Sequence, residues 1–237
     1  MRKTAAVTTF NKKLYDSFAY RFMNTYNWNF DLSVYSEDKL DLDKGQFIDM
    51  NEVADCTAFV DRNKHKEVKR FNWDAVRFCY KVYAWADFIL NRSDGYSGVI
   101  WIDSDSVFYK PIDQHWLEKN IHRDGTMMSY LGRPKSYYTE TGFIYFNLEH
   151  PDTKDYVAEC KRVYDSDDIY KMKQFHDCWV MDRTREKFEK ERKMKTYNLG
   201  DGQSGHVQAR SVLGKVYDHT KGKRKVTGRS PEFKEIR

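Results

Sequence analysis

Between Gly98 and Asp105 the chain reads Gly-Val-Ile-Trp-Ile-Asp-Ser-Asp. An uninterrupted apolar run of this length is typical of a strand buried at the centre of a parallel sheet. Asp103 and Asp105 follow at the carboxyl end of that strand, which is the edge where open α/β sheets bind their ligands. The stretch therefore predicts an α/β fold and also the position of its functional site.

Strands and helices alternate on both sides of this run, so we predict α/β layering in a single domain over residues 1–237. The patterns predict strands over 5–10, 32–35, 98–102, 127–131 and 142–147, and helices over 12–26, 52–60, 73–90, 156–164 and 175–188. We expect Asn51 and Asn72 to cap the second and third of these helices. The expected architecture is a central, mostly parallel sheet flanked by helices.

The composition is that of a folded, water-soluble protein, with 40% hydrophobic and 32% charged residues. Cys56, Cys79, Cys160 and Cys178 are widely spaced, without a Cys-x-x-Cys pair or a histidine at zinc-finger spacing. This spacing predicts reduced, mostly buried thiols and no structural zinc site. The sequence contains no apolar run typical of a signal peptide or a membrane span, so we expect a cytoplasmic protein without a membrane partner.

Charge is unevenly distributed along the chain. Residues 101–182 carry 15 acidic and 10 basic side chains, whereas residues 183–237 carry 16 basic and 7 acidic ones. An acidic middle suits a metal site, and a basic C-terminal region suits phosphate groups. A solvated charged surface accounts for the same counts, so the charges favour a function only in combination with the motifs.

The two aspartates at the strand end are the strongest chemical signal in the sequence. Asp103 and Asp105 lie two residues apart, and carboxylates so placed repel each other unless a cation lies between them. Mg²⁺ and Mn²⁺ are hard divalent ions that prefer oxygen ligands, and either ion can bridge a diphosphate. The alternative is structural, with Asp103 ending the strand and Asp105 beginning an Asx turn.

With its apolar strand, Asp103-Ser104-Asp105 resembles the Asp-x-Asp motif of the GT-A class of nucleotide-sugar glycosyltransferases. Further segments are similar to parts of that class in the same order, namely 6–11, 73–82, 140–147 and 211–225. The resemblance is to small phage and bacterial members, which implies a bacterial cytosol or that of a phage-infected host. It also implies one Rossmann-like GT-A domain, with a nucleotide-binding half over 1–110. The acceptor half, with a basic closing segment, takes up 111–237.

The resemblance implies transfer of a sugar from a nucleoside diphosphate sugar, with a UDP-sugar expected, to a hydroxyl acceptor in the presence of Mn²⁺ or Mg²⁺. It implies His219 as the ligand that completes the metal site of Asp103 and Asp105. An imidazole suits Mn²⁺ better than Mg²⁺. The residues implied in donor binding are Thr8, Thr9, Phe10, Asn11, Arg77, Lys81, Asp103, Ser104, Lys221, Gly222 and Lys225.

Two carboxylates compete for the role of acceptor-side base. In an inverting enzyme a carboxylate takes the proton of the acceptor hydroxyl as the new bond forms. Glu140 lies in the segment that the resemblance assigns to the sugar and the acceptor. Asp177 lies at the start of a predicted helix, where a carboxylate also serves as an N-terminal cap. Both residues are candidates.

Other functions fit the sequence less well. A sugar-phosphate nucleotidyltransferase needs a glycine-rich loop after the first strand, and no glycine precedes Gly45. A non-catalytic nucleic-acid-binding protein would account for the basic C-terminal region and the many aromatic residues, but it leaves the two aspartates unexplained. The basic region also suggests one particular acceptor, a hydroxymethylated base in DNA, which would have to be flipped out of the duplex.

Overall fold

The computed structural model describes residues 2–134 and 137–233. Its strands are β1 (Thr4–Thr9), β2 (Asp31–Ser36), β3 (Gln46–Asp49), β4 (Gly98–Ile102), β5 (Ser106–Phe108), β6 (Met128–Leu131), β7 (Glu140–Asn147), β8 (Tyr197–Asn198) and β9 (Tyr217–His219). Its α-helices are α1 (Lys12–Leu14), α2 (Tyr20–Thr25), α3 (Ala54–Asn63), α4 (Ala75–Asp87), α5 (Gln114–Asn120), α6 (Thr153–Asp165), α7 (Asp177–Arg192), α8 (Val207–Arg210) and α9 (Arg224–Thr227).

The central sheet has seven strands in the order β3-β2-β1-β4-β7-β6-β8. β1 pairs in parallel with β2 and β4, and β2 pairs in parallel with β3, whereas β7 is antiparallel to both of its neighbours, β4 and β6. Helices α3, α4, α6 and α7 contribute to the hydrophobic cluster on one face, and α2 and α5 contribute to the cluster on the other. The predicted α/β sheet flanked by helices is therefore confirmed.

β4 is the buried strand that the apolar run predicted. All of its residues are buried, and it lies between β1 and β7 in the middle of the sheet. Burial on both faces explains why the run shows no alternation of polar and apolar side chains. Because β1 and β4 are parallel, the loops that follow Thr9 and Ile102 open at the same edge of the sheet.

A second, two-stranded sheet brings the C-terminal region to that edge. β5 pairs with β9 in antiparallel register, with Ser106 opposite His219. Aromatic side chains hold this pair of strands against the rest of the fold. The ring of Phe108 lies 4.9 Å from that of Trp28, and Tyr217 lies 5.4 Å from the same tryptophan, measured between ring centroids. Edge-to-face contacts of this kind add to the free energy gained by burying the rings.

Both predicted helix caps are wrong. α4 is capped by Asp74, whose carboxylate accepts the backbone N–H of Arg77 at 3.0 Å, because a 3₁₀ turn around Asn72 replaces the predicted first helical turn. Asn51 also lies in a 3₁₀ turn, before α3, and its side-chain amide donates to the carbonyl of Glu37 at 2.8 Å. Each asparagine thus lies in a turn that precedes the helix.

The remaining predicted elements correspond to β1, β2, β6, β7, α3, α6, α7 and the helical segment from α1 to α2, which includes a π-helical turn. The segments that the pattern did not predict are β3, β5, β8, β9, α5, α8 and α9, most of them no longer than four residues. Among the helices of residues 2–134 and 137–233, none combines the length and apolar character needed to cross a membrane. The four cysteines are free thiols, and three of them are buried, as predicted.

Candidate active site

Asp103 and Asp105 lie in the turn between β4 and β5. The backbone N–H of Asp103 donates to the carbonyl of Gly142 at 3.0 Å, which ties the turn to β7. The indole N–H of Trp101 donates to Oδ1 of Asp103 at 2.8 Å, so this carboxylate has a fixed orientation. Asp105 is buried, with 7% of its surface exposed. The turn therefore presents two oriented carboxylates at the ligand-binding edge of the sheet.

His219 completes a three-residue cluster with these aspartates. Its Nε2 atom lies 3.1 Å from Oδ1 of Asp105 and 3.6 Å from Oδ2 of Asp103. The three potential ligand atoms all lie within 4.8 Å of one another. The pairing of β5 with β9 accounts for the convergence, because it sets His219 beside the residue that follows Asp105.

The donor set fits Mn²⁺ or Mg²⁺. Two carboxylate oxygens and an imidazole nitrogen are ligands that Mn²⁺ accepts, and ligands about 2.1 Å from one ion lie roughly 3 Å apart when adjacent. Burial alone lowers the pKa of His219, but the carboxylates of Asp105 and Glu140 outweigh it and raise the pKa to about 10. Burial raises the pKa of Asp105, and the positive charges of His219 and Lys225 outweigh this and hold it well below its usual range. The ionised carboxylates of the cluster are therefore stabilised by positive charge next to them.

Lysines surround the cluster on two sides. Nζ of Lys81 lies 2.6 Å from Oδ1 of Asp103 and 3.0 Å from Oδ2 of Asp177. It also donates to the carbonyl of Thr141 at 2.7 Å, so this buried ammonium group is fully engaged by the protein. Lys225, by contrast, is partly exposed and has its Nζ 2.9 Å from Oδ2 of Asp105.

Glu140 lies behind His219, at the start of β7. Its Oε1 is 3.0 Å from Nδ1 of the histidine, and its Oε2 accepts hydrogen bonds from Arg133 and Lys221, each at 2.5 Å. Burial raises the pKa of Glu140, but the hydrogen bond to His219 and the positive charges of His219, Lys221 and Arg133 outweigh it and lower the pKa well below its usual range. The carboxylate is thus ionised and engaged on both oxygens.

Asp177 is the first residue of α7, and the cap of that helix is the preceding His176, whose Nδ1 accepts the backbone N–H of Trp179 at 3.3 Å. Oδ2 of Asp177 accepts from the hydroxyl of Thr141 at 2.5 Å and from Lys81. Burial raises the pKa of Asp177, but Lys81 and Thr141 outweigh it and lower the pKa. The aspartate is therefore a fixed, ionised neighbour of the Asp103–Asp105–His219 cluster.

The predicted donor residues fall into two groups. Thr9, Arg77, Lys81, Asp103, Ser104, Lys221, Gly222 and Lys225 line one cleft with Asp105, Glu140, Asp177 and His219. Thr8 and Phe10 are buried. Asn11 caps α1 by accepting the N–H of Leu14 at 3.0 Å. Among the described residues, these last three are not part of the cleft lining.

The cleft has a volume of about 640 Å³. This size lies within the usual range of sites for small molecules and cofactors. Other residues that line it were not singled out from the sequence: Leu14, Phe18, Phe71, Phe78, Trp101, Arg133, Thr139, Thr141, Gly142 and Cys178. Arg133 could have been predicted from the sequence, because it lies two residues after the predicted strand over 127–131, at the edge of the sheet where ligands bind. The aromatic residues come from helices and turns, and their pattern does not distinguish a cleft wall from the core.

A larger groove, of about 740 Å³, lies at the start of β2, between Trp28 and Arg92. Size alone would favour it, but within residues 2–134 and 137–233 the clusters of possible metal ligands lie elsewhere. One is the aspartate–histidine cluster, and the other is His176-Asp177-Cys178, in which Asp177 is already paired with Lys81. The smaller cleft is therefore the candidate site.

Part of the basic surplus of the C-terminal region is paired with acidic side chains from the middle of the chain. Arg192 on α7 lies 2.6 Å from Asp155, and Lys187 lies 3.1 Å from Glu159. These pairs join α7 to α6 and spread charges of both signs over one surface. The charge counts alone therefore overstate the positive potential of this region.

No protein-family model and no curated protein sequence matches the chain. The fold is similar to that of mouse xyloside xylosyltransferase 1, whose crystal structure is of the apo form. The TM-score is 0.54 at 10% sequence identity, and the match covers 84% of this chain and 85% of that one. A structure of the bifunctional glycosyltransferase WbbM also matches, with a TM-score of 0.46 and 14% identity, over 77% of this chain and 37% of that one. The first likeness confirms the fold that the resemblance implied.

Proposed function

We propose that the protein is a metal-dependent glycosyltransferase that moves a sugar from a nucleoside diphosphate sugar, with a UDP-sugar the first donor to test, to a hydroxyl acceptor. One observation carries the proposal. Asp103 and Asp105, from the middle of the chain, converge with His219, from its C-terminal region, at the carboxyl edge of the sheet, in a cleft that partly exposed lysines also line. A fold shared with a xylosyltransferase supports the same reading.

The cleft suits both ends of such a donor. Leu14, Phe18 and Phe71 add apolar surface to the cleft, and large apolar side chains provide contact area for a base and a ribose. Lys221 and Lys225 line the same cleft and carry the positive charge that a diphosphate requires. The glycine between Lys221 and Lys223 has a φ of +66°, so the chain turns sharply there beside the cleft.

We propose that Asp103, Asp105 and His219 hold Mn²⁺ or Mg²⁺. Bound there, the ion would neutralise negative charge on the diphosphate as the bond to the sugar breaks. His219 must give up its proton for this role, and Asp105 must exchange its ion pair with Lys225 for the ion. Lys225 is then available to contact a phosphate oxygen, because its former partner is engaged.

On the acceptor side we favour Asp177 over Glu140. Glu140 lies behind His219, with hydrogen bonds to both of its oxygens. Asp177 holds Lys81 and Thr141 through Oδ2, while the thiol of Cys178, at 3.7 Å, is the only hydrogen-bond donor to Oδ1 among the described residues. The freer oxygen can accept a hydrogen bond from a hydroxyl of the sugar or of the acceptor. Asp177→Asn should therefore lower kcat more than it raises KM for the donor.

A hydroxymethylated base in DNA is the macromolecular acceptor that the charge distribution suggests. Ion pairs between α6 and α7 take up part of that charge, and Lys221 is paired with Glu140, so the suggestion rests mainly on the exposed Lys223, which follows the cleft residue Gly222. A gel shift at low salt, with hydroxymethylated and unmodified duplexes in parallel, tests it. Preference for the modified duplex supports a DNA acceptor, and equal or absent retention contradicts it.

The direct test of the proposal is a thermal-shift screen of nucleoside diphosphates and their sugars with Mn²⁺ or with a chelator. A ligand that binds only the folded state stabilises it, by about 2.7 kcal/mol at 100 times its Kd. We expect stabilisation by one nucleoside diphosphate and a dependence of that effect on Mn²⁺. Equal stabilisation in the chelator would contradict metal-dependent donor binding.

A further inference from the structure

Glu140 and Asp105 lie on opposite sides of the His219 ring. Nδ1 of His219 lies 3.0 Å from Oε1 of Glu140, and Nε2 lies 3.1 Å from Oδ1 of Asp105. Only the Nε2 side also faces Asp103, at 3.6 Å. Of the two ring nitrogens, Nε2 is therefore the one that can join a metal site, and Nδ1 is the one left to donate a hydrogen bond to Glu140.

The position of Glu140 is fixed by its other contacts. Arg133 and Lys221 each donate to Oε2 at 2.5 Å, and the side chain of Glu140 is 3% exposed. Two cations on one oxygen leave the other oxygen to the histidine. Movement of this buried carboxylate would break one of its ion pairs and leave a charge unpaired in a buried site. Glu140 is therefore a hydrogen-bond acceptor with a fixed position.

The backbone of β7 fixes the ring from the same direction. A Cβ atom on Gly142 would lie 2.3 Å from Nδ1 of His219 and 2.4 Å from its Cε1. The histidine therefore lies directly on the glycine, two residues along the strand from Glu140. A single strand thus supplies both the close backbone contact with the ring and the carboxylate that accepts its N–H.

We propose that Glu140 is a positioning residue that holds the proton of His219 on Nδ1 and keeps Nε2 directed at the metal. The inference rests on the proposed metal site. A carboxylate behind a ligating histidine fixes the tautomer and the ring plane and makes the imidazole a stronger ligand. Glu140 then acts through His219. Lys221, which donates to the same carboxylate, helps to hold it in place.

The experiment measures the Mn²⁺ affinity of the nucleotide-free protein from the EPR signal of free Mn²⁺. The variants are Glu140→Gln and Glu140→Leu, with Asp87→Asn as the matched control, since Asp87 is also a buried carboxylate held by an arginine, at 2.6 Å from Arg92. Loss of such a support typically weakens metal binding about 10- to 100-fold. We expect this loss in Glu140→Leu, a smaller loss in Glu140→Gln, whose amide oxygen still accepts from Nδ1–H, and no change in the control.

Wild-type affinity in both Glu140 variants would overturn the inference. His219→Ala and Asp105→Ala separate this outcome from failure of the proposed function. If they abolish Mn²⁺ binding while the Glu140 variants retain it, only the positioning role is wrong. If they leave binding unchanged, the metal site itself is wrong.

Gly142→Ala keeps the inference testable if the Glu140 variants do not fold. The added methyl group must displace the ring of His219, so Mn²⁺ binding should weaken although Glu140 is present. Circular dichroism in a chelator reports whether each variant is folded. A folded Gly142→Ala protein with wild-type Mn²⁺ affinity would show that the position of the ring against β7 does not matter, which contradicts the inference.

Discussion

Thr220 donates two hydrogen bonds to a single acceptor, the backbone carbonyl of Asp105. The backbone N–H lies 2.8 Å from that oxygen, and the hydroxyl lies 2.7 Å from it. Thr220 directly follows His219, so these bonds fasten the histidine to the turn that carries the aspartates. The proposed metal site thus depends on a contact between two distant parts of the chain.

Thr220→Val should weaken both the fold and the metal site. The substitution keeps the shape of the side chain but removes one buried hydrogen bond, which typically contributes about 0.5–1.5 kcal/mol to the free energy of unfolding. Urea unfolding measures the loss in the free energy of unfolding. A Mn²⁺ titration should show weaker binding than in the wild type. Thr57→Val is the control, because its hydroxyl also donates to a backbone carbonyl, that of Ala54, in a solvent-exposed hydrogen bond of α3. Equal Mn²⁺ affinities in the two variants would contradict the coupling.

Lys225→Met should impair donor binding. Nζ of Lys225 lies 2.9 Å from Oδ2 of Asp105 and 4.3 Å from the ring centroid of Phe18, at the wall of the cleft. A hydrogen bond to a charged group contributes about 1.5–3 kcal/mol, or roughly 10- to 150-fold in affinity. Calorimetry with a nucleoside diphosphate and Mn²⁺ measures the loss. Lys187→Met, which removes a paired lysine on α7, should bind like the wild type, and an equal loss in both variants would contradict a specific phosphate contact.

Metal binding should release a proton from His219. The pKa of about 10 means that the metal-free histidine is protonated at pH 8, and a bound ion requires the neutral imidazole. Because the folded-state pKa is raised, affinity for the ion should rise with pH up to about 10, by roughly tenfold per pH unit for one competing proton. Calorimetric titrations with Mn²⁺ in two buffers of different ionisation enthalpy count the protons. A count near zero would contradict ligation by His219.

The central strand and the aspartate pair could be predicted from the sequence. Because β4 is buried on both faces, it appears as an uninterrupted apolar run, and the first polar residues after that run mark the edge of the sheet. His219 was reached only through the resemblance. The contact that brings it to Asp105 is made by strands of three residues, too short to show a period. The cap of α4 was placed two residues early, since Asn72 and Asp74 are both good capping residues.

The ion pairs of the candidate site were its least predictable feature. The spacing of Arg77 and Lys81 on a helix indicated which face they share. It could not indicate that Lys81 is buried between Asp103 and Asp177, because those contacts depend on how β4 and α7 lie in the fold. The same holds for Glu140, whose partners come from the loop after β6 and from the segment after β9.

The most direct test of the central claim is transfer or hydrolysis of a nucleotide sugar by Asp105→Ala, compared with the wild type in Mn²⁺ and in a chelator. The account predicts that the wild type is active only with the metal. It also predicts that Asp105→Ala is inactive in both conditions, while circular dichroism shows the same fold and EPR shows no bound Mn²⁺. Full activity of Asp105→Ala in the presence of the chelator would contradict the metal-dependent mechanism.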